Sequence, residues 1–299
     1  MNIPFLKYRK IYFIFSGILI LASLVCLVVF GLRPGIDFVG GSLLEVEFEN
    51  RRPSSEEIRT ELKNFNLGDI IIQPTGEKGL IIRMKETDTE TRELIVRQLR
   101  TKAALTVMRN DLIGPVIGRE LRERAKIIVA LVVLAIAVYI ALAFRRVSKP
   151  IASWQYSIVS LMALFHDVLI VLGVFSILGF FYYVEITIPI VTALLVVLGY
   201  SINNTVVVFD RIRENLVKRI GTTYQETVNK SLNQTFFRSI NTSLTTLFVL
   251  IAIFFFGGVT LKYFALALIV GITAGTYSSF FLAGPILVSW LGLKTGREV

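Results

Sequence analysis

The side chains able to carry chemistry in this chain are few, and they stand where polar groups are costly. The run Gly199-Tyr-Ser-Ile-Asn-Asn-Thr-Val-Val-Val-Phe-Asp-Arg-Ile-Arg213 closes an otherwise apolar helix beginning near Ile186, and it holds Asn203, Asn204 and Asp210. Another apolar stretch, Ala163-Leu-Phe-His-Asp-Val-Leu169, carries the single histidine, His166, beside Asp167. A third has Arg238, Asn241, Thr242 and Thr245 at i, i+3, i+4 and i+7, which is a polar stripe on one helix face. A charged carboxylate at mid-bilayer costs about 3 kcal/mol or more on insertion scales, so such groups usually face a bundle interior or a water path. Asp167 is therefore the first candidate for a group that takes up and releases a proton. His166, Asn203, Asn204, Asp210 and Arg238 are candidates for the path around it.

Packing is the plainer reading of each. Asparagines tie membrane helices together at roughly 0.6–2 kcal/mol apiece. Asp210 can pair with Arg211 or Arg213 at the water boundary, Asp167 can bond a neighbouring serine or threonine, and Arg238 can serve as a positive-inside anchor. Neighbouring residues diverge by about 100° around a helix, so His166 is expected to point away from Asp167. A metal site built on that pair is not expected.

The elements that must position these groups follow from composition. With 54% hydrophobic residues and a mean hydropathy of +0.67, the chain reads as a polytopic membrane protein, because several apolar runs approach the ~20 residues needed to cross a bilayer. Six runs qualify, at about 11–30, 127–144, 156–181, 186–209, 240–256 and 263–283. They divide the chain into an N-terminal segment with the first span (1–30), a polar domain with its connector (31–126), a bundle of five spans (127–292) and a short tail (293–299).

The net charge of +10 does not point to nucleic acid. Residues 33–126 hold 17 basic against 16 acidic side chains, so +9 lies in the termini, short loops and helices. Lys7, Arg9 and Lys10, then Arg145, Arg146 and Lys149, then the run from Arg211 to Arg238, then Lys294 and Arg297 all fall on one side if six spans alternate. Short basic loops stay cytoplasmic, so both termini are expected inside and 31–126 outside. The N-terminus has the basic start of a signal peptide, but its apolar run is too long and no A-x-A site follows; a retained first helix is expected. The lone Cys26 offers neither an internal disulfide nor a thiolate metal site.

Between the first two spans, Gly31-Leu-Arg-Pro-Gly-Ile-Asp-Phe-Val-Gly-Gly41 ends the helix and turns into a strand. Its glycine spacing fits no phosphate loop. Strands are expected at Ser42–Glu49, Asp69–Thr75, Leu80–Lys85 and Leu105–Ile113, with helices opened by the capping boxes Ser54-x-x-Glu57 and Thr87-x-x-Glu90. The order β-α-β-β-α-β is the ferredoxin-like split pattern. That domain has no His or Cys, so a binding module is favoured over an active site and no enzyme activity is expected. After Gly114-Pro-Val-Ile-Gly118 a charged helical segment runs into the second span. The sixth span carries Gly271-x-x-x-Gly275-x-x-x-Ser279, a small-residue ridge that admits another helix closely.

Taken together, Gly-Ile-Asp-Phe-Val-Gly-Gly at 35–41, Gly-Pro-Val-Ile-Gly at 114–118, His166-Asp167, the 199–215 block and Ser231-Leu-Asn-Gln-Thr-Phe-Phe-Arg-Ser-Ile-Asn-Thr-Ser243 resemble the SecD/SecF family of protein-export membrane proteins. The resemblance covers essentially the whole chain. It implies a six-helix bundle of the resistance-nodulation-division (RND) type with a small α+β extracytoplasmic domain, in the bacterial inner membrane. It further implies a SecD partner, the Sec protein-conducting channel, a translocating unfolded polypeptide and membrane lipid as contacts, with the proton gradient as energy source and no cofactor. The family's helix-four motif usually reads Asn-Asp-Thr, its aspartate being the expected proton carrier; here that position is Asn204, and an amide does not titrate. The proton site has then moved to Asp167, or lies in SecD, or the subunit only holds SecD in place. An RND-type small-molecule or lipid exporter is the other class, although one outer domain of under 100 residues is small for a porter cavity.

Overall fold

The structure, a computed structural model, describes residues 3–145 and 151–295. Arg146, Lys149 and Arg297 of the basic-loop pattern, and most of the 293–299 tail, lie outside the described residues. The chain forms two units, one of 1–32, 128–182 and 189–299, the other of 33–127 with 183–188.

The first unit is helical. Its helices are α1 (Arg9–Phe30), the continuation of a helix that begins in the other unit, α6 (Ser153–Tyr182), α7 (Ile188–Val217), α8 (Tyr224–Phe256), α9 (Val259–Ser278) and α10 (Gly284–Thr295). Six helical stretches, Phe5–Phe30, Pro115–Ala143, Ser153–Tyr182, Ile188–Val217, Tyr224–Phe256 and Leu261–Gly292, are long and apolar enough to cross a membrane. These correspond to the six expected runs, with the largest extensions at Pro115–Ala143 and Tyr224–Phe256, where polar turns precede the apolar core. α6 and the last span, Leu261–Gly292, are the most buried, and Pro115–Ala143 and the first span are the most exposed. Tyr156, Val159 and Ala163 of α6 pack with Leu198, Ile202 and Phe209 of α7 and with Phe280 and Leu287 of the last span.

Two features of that last span shape the interior. Between α9 and α10 lies a single π-helical turn, Ser279–Ala283, which displaces the register of a helix by one residue and often marks a functional site. The small-residue ridge lies against α7 of the same chain: a Cβ on Gly271 would meet Val197 Cγ2 at 2.2 Å, and one on Gly275 would meet Ser201 Cβ at 3.0 Å. Thr205 Oγ1 and Ser279 Oγ continue the line with a 3.0 Å hydrogen bond.

The second unit is a sheet covered by helices: α2 (Ile36–Val39), β1 (Gly41–Phe48), α3 (Ser55–Leu62), β2 (Ile71–Thr75), β3 (Gly79–Met84), α4 (Thr89–Arg100), β4 (Leu105–Ile113) and the start of α5 (Pro115–Ala143). The strands are all antiparallel in the order β2-β3-β1-β4, as the split β-α-β pattern requires. Leu44, Val46 and Phe48 of β1 and Leu80, Ile82 and Met84 of β3 face Ile58, Leu62, Ile95 and Leu99 of the helices. The first capping box forms as expected, with Ser54 Oγ accepting from Glu57 N–H and Glu57 Oε2 from Ser54 N–H. The second does not. Asp88 caps α4 by accepting from Thr91 N–H at 2.7 Å, while the Thr87 hydroxyl bonds Lys85 O. A carboxylate one residue nearer the helix is the stronger acceptor for those first amides.

The glycine-rich entry contains one turn of helix, α2, rather than a bare turn. Gly40 (φ +80) and Gly118 of the two glycine motifs meet there. A Cβ on Gly40 would lie 2.7 Å from Pro115 Cα, and one on Gly118 2.8 Å from Gly40 N. The two motifs are therefore one backbone-to-backbone packing site.

Candidate functional site: a buried carboxylate among three spans

Asp167 is fully buried in α6, and its carboxylate is the centre of a small polar cluster in an apolar bundle. Ser201 Oγ of α7 donates to Oδ2 at 2.5 Å, and Ser278 Oγ, the last residue of α9, donates to the same oxygen at 2.8 Å. His166 Nδ1 lies 2.9 Å from Oδ1. This corrects the expectation that His166 points away. The Cα–Cβ directions diverge by 100°, but the two ring and carboxyl ends extend past Cβ far enough to turn back toward each other. His166 is itself fully buried, its ring stacks on Tyr277 at 6.1 Å, and its Nε2 has no partner among the described residues. No group of three metal-ligating side chains occurs among the described residues.

A second cluster lies one turn away. Asn204 is 3% exposed, and its Nδ2 makes a long 3.4 Å contact with Thr276 Oγ1, which is 2.7 Å from Ser243 Oγ of α8. Tyr200 OH reaches the same serine at 3.3 Å. Asn204 thus stands in a chain of neutral donors and acceptors formed with Thr276, Ser243 and Tyr200.

The other sequence candidates lie elsewhere. Asn203, Asp210 and Arg238 are exposed on the surface of this chain. Asp210 pairs with Arg213 at 3.5 Å, and Arg211 with Glu214 and Gln234. The stripe Arg238, Asn241, Thr242 and Thr245 faces outward, and α8 buries instead Ser231, Thr235, Ser239 and Ser243. The hydroxyls of Thr242 and Thr245 are bonded to carbonyls of their own helix. Ser201 and Ser278, the two donors that define the site, were not singled out from sequence. Ser201 lies in the polar block and one turn N-terminal to Thr205, which was the available signal.

These features define a multi-pass membrane protein with an ionisable pair inside its bundle and a separate split β-α-β sheet unit. The family model for the "Protein export membrane protein SecD/SecF, C-terminal" region matches residues 95–292 and that for the "SecD/SecF GG Motif" residues 27–50. The protein translocase subunit SecF of Thermobaculum terrenum is 40% identical over 96% of this chain and 94% of its own, and that of Rhodothermus marinus is 40% identical over 99% and 96%. Among solved structures, the crystal structure of SecDF from Thermus thermophilus, described as a translocon-associated membrane protein, superposes with a TM-score of 0.86 at 33% identity. It covers 99% of this chain, which spans only 39% of that longer one. The chain belongs to the SecD/SecF family, and its relatives of matching length are the SecF subunits.

Proposed function

We propose that this chain is the SecF-type subunit of a SecD/SecF accessory unit of the Sec translocase, using the proton-motive force to promote late steps of protein export across the bacterial inner membrane. In this reading both termini are cytoplasmic and 31–126 extracytoplasmic. The subunit has no catalytic activity or cofactor of its own, and its contacts are SecD, the Sec channel, the translocating polypeptide and lipid, with no nucleic acid. The observation that carries the reading is Asp167, an acid sealed in the bundle with hydroxyl donors from two other helices. The outward stripe on α8 and the exposed Asn203 support a SecD partner, because polar groups at membrane depth are normally covered by another helix.

The cluster suggests how a proton could move helices. An ionised Asp167 accepts at Oδ2 from both Ser201 and Ser278 in charge-assisted bonds; a proton taken up at Oδ1, beside His166 Nδ1, removes that charge and weakens the ties of α7 and α9 to α6. The π turn that follows Ser278 gives the last span a place to absorb the shift. One proton moving down 100 mV releases about 2.3 kcal/mol, a bias of about fiftyfold on such a two-state element.

Export of a reporter into inverted vesicles at varied proton gradient tests this. Asp167→Asn is expected to abolish the gradient-dependent stimulation while the complex still co-purifies, Asp210→Asn to reduce it weakly, and Asn204→Asp to leave it intact or raise it. Unchanged gradient dependence in Asp167→Asn would refute the site and leave this chain as a structural partner of SecD.

A further inference from the structure

The residues 183–187 join α6 to α7 and, together with Ile188, the first residue of α7, are folded into the sheet unit as a strap. Ile186 N–H donates to Arg33 O at 2.7 Å and Gly35 N–H to Ile186 O at 2.8 Å. Ile188 N–H, the first of α7, donates to Asp37 Oδ2 at 2.8 Å. Val184 is 2% exposed, and Arg33 lies over the Tyr183 ring. At the centre Glu185 Oε2 is 2.9 Å from Arg83 Nε of β3, and neither side chain is more than 12% exposed. That guanidinium is shared, since Arg83 Nη1 also donates to Gln73 Oε1 at 2.8 Å.

A buried carboxylate is retained only if its neighbours compensate for the lost water. Three charged groups face Glu185: Arg83 from β3, and Arg33 and Asp37 from the segment before β1. The Asp37 carboxylate offsets part of what the two arginines supply. Burial outweighs the arginines and pushes the Glu185 carboxyl up to about 7, with Arg83 opposing, Asp37 adding and Arg33 opposing.

We propose that Glu185 is a proton-binding site, and that a proton bound there fastens the strap to the sheet unit while its loss loosens it. The neutral carboxyl gives up the attraction of the arginines but escapes the desolvation cost that the charged form carries, and burial is the larger of the two. A released strap returns Glu185 to water and its ordinary value of 4.5. Because the docked value is the higher, the proton's contribution to docking is fully present below 4.5 and is lost as pH rises through about 7. The strap is the direct covalent link between α6, which carries Asp167, and α7, which carries Ser201, so its fastening bears on both helices. The inference does not depend on Asp167 being a proton carrier.

The test uses the full-length chain in lipid nanodiscs, with Cys26→Ser and a reporter Val184→Cys at the buried strap position. Its thiol-labelling rate is read relative to an exposed Glu77→Cys. The relative rate is expected to fall about 30-fold from pH 8.5 to 5.5, as the two proton affinities dictate, with a midpoint near the docked value. Glu185→Gln should label slowly at every pH. Asp37→Asn should move the midpoint to lower pH and Arg83→Gln to higher pH, which decides the matter even if Glu185→Gln fails to fold. A flat profile in the parent, the opposite slope, or a pH dependence that survives Glu185→Gln overturns the proposal.

Discussion

Adding one methyl group at Gly271 should push α9 and α7 apart, and a second substitution should undo it. In Gly271→Ala the new Cβ would lie 2.2 Å from Val197 Cγ2 and 2.7 Å from Cγ1, against the roughly 3.5–4.0 Å of ordinary carbon contact. A shortfall of that size exceeds what a neighbour can give by small shifts. Val197 cannot escape by rotating, because a helical valine holds one χ1 rotamer about nine times in ten. Overpacking of this kind costs about 1–3 kcal/mol, and alanine's better helix propensity returns about 1 kcal/mol, so a net loss of about 0–2 kcal/mol is expected. Val197→Ala removes both of those carbons and leaves only Cβ, at 3.0 Å, a contact that a shift of a few tenths of an ångström relieves. In that background Gly271→Ala should be neutral or stabilising, a coupling of about 1–3 kcal/mol. Denaturant unfolding in micelles, followed by pulse proteolysis on the four variants, measures it. Equal effects of Gly271→Ala in both backgrounds would refute the contact and return the ridge to the role of a partner-facing surface.

Two further outcomes follow from other parts of the chain. Gly40→Ala should destabilise the sheet unit by about 2 kcal/mol or more, since φ +80 is unfavourable for alanine and its Cβ would lie 2.7 Å from Pro115 Cα; unchanged amide-exchange protection of β1 and β4 would contradict this. In whole cells or right-side-out vesicles, a cysteine at Thr75 should react with an impermeant thiol reagent and one at Thr223 should not, and the reverse pattern would invert the proposed orientation.

The six spans and the strand order were legible in the chain itself, because each rests on a local regularity. Twenty apolar residues in a row mean a membrane helix whatever surrounds them. Alternation in 105–113 gives β4 at the bounds expected, Leu105–Ile113. Ser54 three residues before Glu57 gives the helix start because the cap is closed within one turn. The suspicion attached to Asp167 was of the same kind, since the expense of an acid at that depth is a property of the residue and its neighbours in sequence.

What surrounds Asp167 was decided only by the tertiary structure. A helical period says which residues share a face but not which helix that face meets. Ser201 and Ser278 lie 34 and 111 residues from Asp167, and nothing local links them to it. For the same reason the polar stripe of α8 was visible as a stripe while its outward direction was not, and the sixth-span ridge was visible as a ridge while its partner, Val197 and Ser201 of α7, was not. The side chain of His166 reached Asp167 through torsions beyond Cβ, which backbone periodicity does not govern. Glu185 had no sequence signal at all: its burial and its partner Arg83, 102 residues earlier, exist only because the α6–α7 connector is folded against the sheet unit.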